Sequence, residues 1–369
     1  MAGLYIHIPF CKQRCHYCDF YFVTNTKLES EFVAALKKEI SARKNETAQV
    51  ETIYFGGGTP SIINPKHIQD ILTLIYTEYT VVDDAEITLE ANPDDLNTEH
   101  LQAFYDAGIN RLSIGIQSFD DEYLKWMNRS HTAEEALTVI DRATQIGFKD
   151  FSIDLIYGIP GMDEKQWQQQ LKTSASLQVN HLSCYCLTVE PKTPLDKFIK
   201  KKIYTNTDDD MQSKHFKLLM EMAPTLGFEQ YEISNFARNQ HYSKHNTAYW
   251  EYKPYIGFGP SAHSFDGITR RHHASSLSAY IQDPIALIEE ALTEEERFNE
   301  YILIGLRTSK GVNIEAMKNK FSETIYTHFE KELNEHENKK HIYIQDGFLR
   351  LSDGGKMYAD SVASAFFLV

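Results

Sequence analysis

One alternation governs the first two thirds of this chain: short β-rich runs separated by amphipathic stretches of helical period. The strand candidates are LYIHI (4–8), TIYFG (52–56), EITLEA (86–91), RLSIGI (111–116), FSIDLIYG (151–158), HLSCYCL (181–187) and EQYEIS (229–234). Helical spacing of apolar residues marks 28–44, 65–78, 98–107, 132–146, 163–178 and 209–226. Repeated strand–helix units imply a parallel sheet covered by helices, either a barrel or an open doubly wound sheet. Polar or flexible residues near the strand C-terminal ends (Gly57, Glu90, Gln117, Asp154) favour a partial (β/α) TIM-like barrel with its active site at that end. The pattern alone leaves barrel against doubly wound sheet open.

From 236 the texture changes. FARNQHYSKHNTAYWEYKPYIGFGPSAHSF (236–265) is rich in His, aromatics and Gly and has no clean period. It is expected as an irregular connection between a core domain at 1–235 and a smaller C-terminal domain at 266–369. Residues 283–337 look mainly helical, and 341–367 reads as strand, Asp-Gly turn, strand, helix, the order of a winged helix. The formal net charge of −15 disfavours binding a phosphate backbone, so nucleic acid is excluded and the winged-helix-like part is expected to pack rather than read DNA. At 42% hydrophobic residues the chain can bury a large core. No apolar run approaches the ~18 residues of a membrane span, and no basic segment with a cleavage site precedes LYIHI. Five cysteines without such a leader point to a reducing, cytoplasmic location and not to a disulfide framework.

Three of those five cysteines, Cys11, Cys15 and Cys18, stand in CKQRCHYC with C-x3-C-x2-C spacing. Isolated cysteines are usually buried thiols, but three within eight residues, flanked by Lys12, Arg14 and His16, do not suit a core. Structural zinc wants four tetrahedral ligands, usually from C-x2-C pairs, and would need His16 as the fourth. A [4Fe–4S] cluster serving only structure or electron transfer takes four thiolates. With three, one iron stays open to a substrate or cofactor, and this is the reading adopted here. Cys184 and Cys186 alternate with Tyr185 in a predicted strand and are expected to be buried small residues.

CKQRCHYC resembles the C-x3-C-x-Φ-C motif of the radical S-adenosylmethionine (SAM) family, with Tyr17 at the aromatic position. The resemblance implies that SAM chelates the open iron and is cleaved, by an electron from the reduced cluster, to methionine and a 5′-deoxyadenosyl radical. FGGGTPS then corresponds to the loop that holds the SAM amino group, with Thr59 in place of the acid usual there. Glu90, ending a strand before Asn-Pro, suits a contact to the ribose or amine. Asp154 in an apolar strand needs a partner, for which Arg129 is suited.

LYIHIPFC, FGGGTPS, LEANP, IGIQSFD, IDLIYGIPG and GFGPSAHS together resemble the oxygen-independent coproporphyrinogen III oxidase family and its heme-chaperone branch over nearly the whole chain. The resemblance implies SAM contacts at Tyr5, Tyr17, Gly57, Gly58, Thr59, Glu90, Gln117, Arg129 and Asp154, several of them to a second SAM, and a HemN-like C-terminal domain. The decarboxylating oxidases carry a further Cys two places after the third, where this chain has Phe20, and a longer segment before the first strand. Both departures point to the chaperone branch, as does HNTAYW (245–250), which resembles a motif associated there with heme binding. His245 is thus expected as an axial heme ligand, with Tyr249 and Trp250 covering the macrocycle. His263 is expected to face the SAM site or its own segment. The implied function is binding heme, a [4Fe–4S] cluster and SAM and delivering heme to acceptor proteins, with an electron donor for the cluster. A porphyrin decarboxylase or methyltransferase stands second and an iron–sulfur sensor third, and no residue is assigned a catalytic role.

Overall fold

A computed structural model describes residues 2–336 and 340–368. Met1, residue 337 at the end of the expected helical region, and Val369 lie outside the described residues. Strands β1 (Ala2–Ile8), β2 (Val50–Gly57), β3 (Val81–Ala91), β4 (Arg111–Gln117), β5 (Asp150–Tyr157) and β6 (His181–Cys186) lie side by side in that order, each pair parallel. A doubly wound sheet reverses its strand order. Here there is no reversal, so successive crossovers turn the same way and the sheet curls into a partial barrel.

The crossovers are the predicted helices α1 (Glu29–Ala42), α2 (Pro65–Glu78), α3 (Thr98–Ala107), α5 (Ala133–Ile146) and α6 (Glu164–Ser176), joined by the short α4 (Asp121–Trp126). Their ends are set locally. Thr132 with Glu135, and Asp163 with Gln166, form capping boxes, and Asn64 and Asn97 cap α2 and α3. Short α4 and α7 (Pro194–Lys200) carry too few turns to show a period and were not predicted. Helix α8 (Asp209–Thr225) follows.

Strand alternation assigns the two faces of the sheet. Leu4, Ile6, Ile53, Phe55, Ile87, Leu89, Leu112, Ile114, Ile153 and Leu182 point outward and are buried beneath the helices. Register brings the other set into rows across the inner face: Tyr5 beside Tyr54, Glu90 beside Ser113 beside Ser152, and Asp154 beside Ser183. Cys184 is buried in the outer core as expected, whereas Cys186 is only half-buried, packing against that core at the barrel mouth.

The sheet does not stop at 235. Beyond β7 (Glu229–Gln230) and β8 (Asn235–Ala237), which form one antiparallel edge, comes α9 (Lys244–Trp250). Strand β9 (Tyr255–Phe258) then pairs parallel with β1, and β10 (His263–Phe265), β11 (Thr269–His272) and, after α10 (Leu277–Gln282), β12 (Ile288–Ala291) extend that side. The expected irregular segment 236–265 and the start of the C-terminal domain at 266 are therefore corrected. Strands of three or four residues are too short to display period two. EQYEIS likewise gives an antiparallel edge and not another parallel strand.

A second hydrophobic core begins at Phe298. It is built by α11 (Glu294–Leu306), β13 (Val312–Asn313), α12 (Ile314–Lys320), α13 (Glu323–His336), the hairpin β14 (Ile342–Gln345)–β15 (Phe348–Leu351), α14 (Asp353–Lys356) and α15 (Ala359–Ser364). Asp346 and Gly347, with φ of 53° and 78°, make the predicted Asp-Gly turn. Among the described residues no helix is long and apolar enough to cross a membrane.

One buried carboxylate ties the added strands to the barrel. Glu39 of α1 accepts hydrogen bonds from Arg43 (2.7 Å), the Tyr280 hydroxyl (2.6 Å) and the Gly259 amide (3.0 Å), and its Oε1 lies 2.7 Å from His273 Nε2. Arg43 in turn donates to the Gly257 carbonyl and Ser264 hydroxyl. Removing the carboxylate leaves buried Arg43 only its ion pair with Glu46 and leaves three other buried groups short of a partner. Glu39→Ala should lower stability by about 3–5 kcal/mol, read as an earlier urea midpoint with unchanged iron content in the surviving folded fraction.

Candidate metal and cofactor centre

The cysteine loop leaves β1 and is fastened at several points. Phe10 and Val23 bridge across its neck, with the Cys11 amide donating to the Val23 carbonyl. Lys12 bridges Asp94 (2.7 Å) and Asp95, while the Gln13 side chain donates to the Asn128 carbonyl (3.0 Å) and the Asn128 side chain donates back to the Arg14 carbonyl (2.8 Å). His16 Nδ1 lies 2.8 Å from the Trp126 carbonyl and its ring packs on Phe198 and Tyr204, so it is not aimed at the thiols. Cys11, Cys15 and Cys18 line one cavity of about 1000 Å³ at the barrel mouth. Thr59 Oγ1 donates to Cys11 Sγ (3.5 Å) and Arg129 Nη1 to Cys15 Sγ (3.3 Å), the contacts thiolate sulfurs would receive. Burial pushes the Cys11 thiol up to about 12 and the Cys18 thiol up to about 11, so loading iron must release protons. Structural zinc would need a fourth ligand beside the three thiols, and His16, turned to the Trp126 carbonyl, does not supply it. A donor set of three thiols on one wall of a roomy cavity fits the larger [4Fe–4S] cluster.

The glycine loop closes on the same cavity. Gly58 donates to the Ile8 carbonyl, and a Cβ there would sit 2.6 Å from the Phe10 carbonyl oxygen. Gly57 has φ of +108°, and its Cβ would meet the His7 ring at 2.6 Å. These glycines bring β2 against the cysteine loop, and Thr59, whose amide donates to the Phe10 carbonyl, extends its hydroxyl to Cys11. Gln117 ends β4 at φ 65°, a backbone conformation that costs a non-glycine residue energy and clusters at functional sites.

Tyr17, Gly57, Gly58, Thr59, Glu90, Gln117, Arg129 and Asp154 all line the cysteine cavity. Glu90 accepts from the Tyr54 hydroxyl (2.8 Å) and the Gly57 amide (3.2 Å). Burial and, through space, Asp154 push it up to about 7. Burial likewise raises Asp154 to about 6. Arg129 does not pair with Asp154 as expected. Its guanidinium donates to Asn92 Oδ1 (2.6 Å), the Gly115 carbonyl (2.8 Å), Cys15 and the Tyr17 hydroxyl, and it lowers the Asp154 pKa only through space. Among the described residues buried Arg129 Nε has no partner.

Two expected residues lie elsewhere. Tyr5 lines a second cavity of about 1390 Å³, which extends between the barrel mouth and α11. His7, Tyr252, Tyr255, His263, Phe265 and Arg270 line it too, and it shares Asp19, Phe20, Phe22, Gly57 and Glu90 with the first. Phe20, standing where the oxidases have Cys, is 71% exposed on that common rim. His245 faces neither cavity. Its Nδ1 lies 2.7 Å from the Thr52 hydroxyl and its Nε2 2.8 Å from that of Tyr249, while its ring stacks on Tyr54 at 4.9 Å. Burial lowers its pKa to about 3, and a neutral imidazole in two hydrogen bonds has no lone pair free for iron. The expected heme ligation by His245 is corrected on this geometry. The sequence reading also missed Tyr54, Thr52, Glu86 and Asn92. Inward alternation of Thr52 and Tyr54 before Gly56 was the available signal.

The fold and this centre are those of a radical SAM protein. The Radical SAM superfamily profile matches residues 5–173 and the HemN C-terminal domain profile matches 292–358. "Heme chaperone HemW" of Bacillus subtilis is 34% identical over 99% of both chains, and that of Lactococcus lactis 29% identical over 99% of this chain and 97% of its own. The structure of coproporphyrinogen III oxidase (HemN) from Escherichia coli superposes with a TM-score of 0.85 at 22% identity, over 99% of this chain and 90% of that one, which places the fold. The chain belongs to the HemW family of radical SAM proteins.

Glu90 has a measurable signature. With its pKa raised from 4.5 to about 7, the folded protein holds a proton there that the unfolded chain has released. The associated penalty on folding is absent below the lower value, grows as pH rises between the two, and is complete above the upper. Glu90→Gln should therefore gain stability relative to the parent as pH rises through that window and match it near pH 4, read from urea midpoints across pH.

Proposed function

We propose that this chain is a heme chaperone: it binds heme beside a radical SAM centre and passes it to acceptor proteins in the cytoplasm. Cys11, Cys15 and Cys18 would hold the [4Fe–4S] cluster. When bound, the cluster supplies an open iron for SAM and an electron that a partner donor must provide. Thr59 and Arg129 donate hydrogen bonds to the sulfurs and offset their negative charge. Glu90 in its ionised form would accept from the SAM ammonium, and the close backbone approach at Gly57 and Gly58 would leave room for the amino acid moiety. Gln117 and Asp154 line the same cavity and would supply further polar contacts to the cofactor.

The second cavity carries the reading. It is large enough for a flat macrocycle, is rich in aromatic side chains, and adjoins the cluster cavity across one shared wall. Support comes from the end-to-end similarity to proteins named heme chaperones.

The test is anaerobic purification followed by addition of heme, or of coproporphyrinogen III, together with SAM. A bound-heme Soret band without decarboxylated product is expected. Decarboxylation without heme uptake would overturn the reading. Cys11→Ser, Cys15→Ser and Cys18→Ser should each lose most iron and sulfide, while Cys184→Ser and Cys186→Ser should keep both; a full complement in Cys15→Ser would remove it as a ligand. SAM added to the reduced protein should change the cluster's EPR spectrum, and an unchanged spectrum at saturation would argue that SAM is not used.

A further inference from the structure

Three imidazoles, besides His272 stacked behind one of them, stand on or behind the second cavity, and two are committed. His7 places Nδ1 3.2 Å from the Tyr5 hydroxyl and Nε2 3.0 Å from the Tyr21 carbonyl. His245 is held by Thr52 and Tyr249. The third, His263 on β10, lines the cavity, is exposed, and has no hydrogen bond to either ring nitrogen among the described residues. Its one ring contact is a stack on His272 at 5.0 Å and 18°, which fixes the ring plane and leaves its edge free.

The backbone behind it is rigid. A Cβ at Gly257 would fall 2.1 Å from the His263 carbonyl oxygen, so β9 and β10 are in close contact there, and Ser264 is tied to Gly257 and Arg43. Desolvation at the cavity wall, with His272 and Arg270 nearby, lowers the His263 pKa and so favours the neutral imidazole, the form that binds iron. Tyr252, Tyr255 and Phe265 offer apolar surface on the same wall. Arg14, which meets no carboxylate among the described residues, lines the cavity too and supplies positive charge for ring carboxylates.

We propose that His263 is the axial ligand this chain offers to heme iron, a proposal that rests on the heme-chaperone reading. His245 is then a positioning residue that fixes Tyr249 in the cavity wall and never touches the iron.

Ferric heme is titrated into the full-length, cluster-loaded protein while the Soret band and iron spin state are followed. His263→Ala should alter both and weaken binding by about an order of magnitude, and added imidazole should restore the parental spectrum. His263→Tyr should give a phenolate charge-transfer band. His245→Ala with its iron and sulfide intact should keep the parental heme spectrum. Parental spectra in both His263 variants, or a changed spectrum in cluster-loaded His245→Ala, would overturn the ligand assignment and leave heme binding standing. No Soret change in the parent itself would overturn the heme reading and this inference with it.

Discussion

Everything at this site depends on one inversion of the usual sheet pattern. The apolar side of the parallel strands faces outward to the helices, and the inner face is left to carry hydroxyls, carboxylates and imidazoles. Those groups are tolerable only because they satisfy one another across the strands. Tyr54 reaches from β2 to Glu90 on β3, Ser152 on β5 stands 2.7 Å from His181 on β6, and Thr52 on β2 meets His245 arriving on α9. A polar lining held this tightly is preorganised for ligands, and it costs stability where carboxylates such as Glu90 and Asp154 are kept partly desolvated.

The same inversion explains why the barrel was legible and part of the site was not. Strong outward apolar alternation made β1 to β6 and their helices visible within a few residues of their ends. Cys11, Cys15 and Cys18 were visible because their spacing is local. Interactions that depend on register were not, since no local pattern tells that Glu86 will accept from the Lys244 and His245 amides (2.8 and 3.0 Å) and cap α9. The resemblance of HNTAYW to a heme-associated motif suggests His245 as a ligand, yet its hydrogen bond goes to Thr52, which is distant in sequence. The strands β9 to β12 were hidden for a related reason: each is too short to show its period, and they are defined by pairing, β9 with β1 and β10 to β12 each with the strand before it.

The Phe20 position shows how one side chain divides two related sites. At the rim common to both cavities it is a bulky, exposed aromatic, so the loop presents apolar surface there where a thiol would have presented a donor. The C-terminal unit completes the enclosure through Glu300, Leu303 and Ile304 of α11.

The wall between the cavities has thermodynamic meaning. Gly57 and Glu90 belong to both, and Glu90 carries a proton that neutral pH can add or remove. An occupant of one chamber that draws this carboxylate into its charged form changes the field felt in the other. Linkage then requires the converse effect to be equal in size, so the two chambers form a single balance in which affinity gained on one side is mirrored on the other.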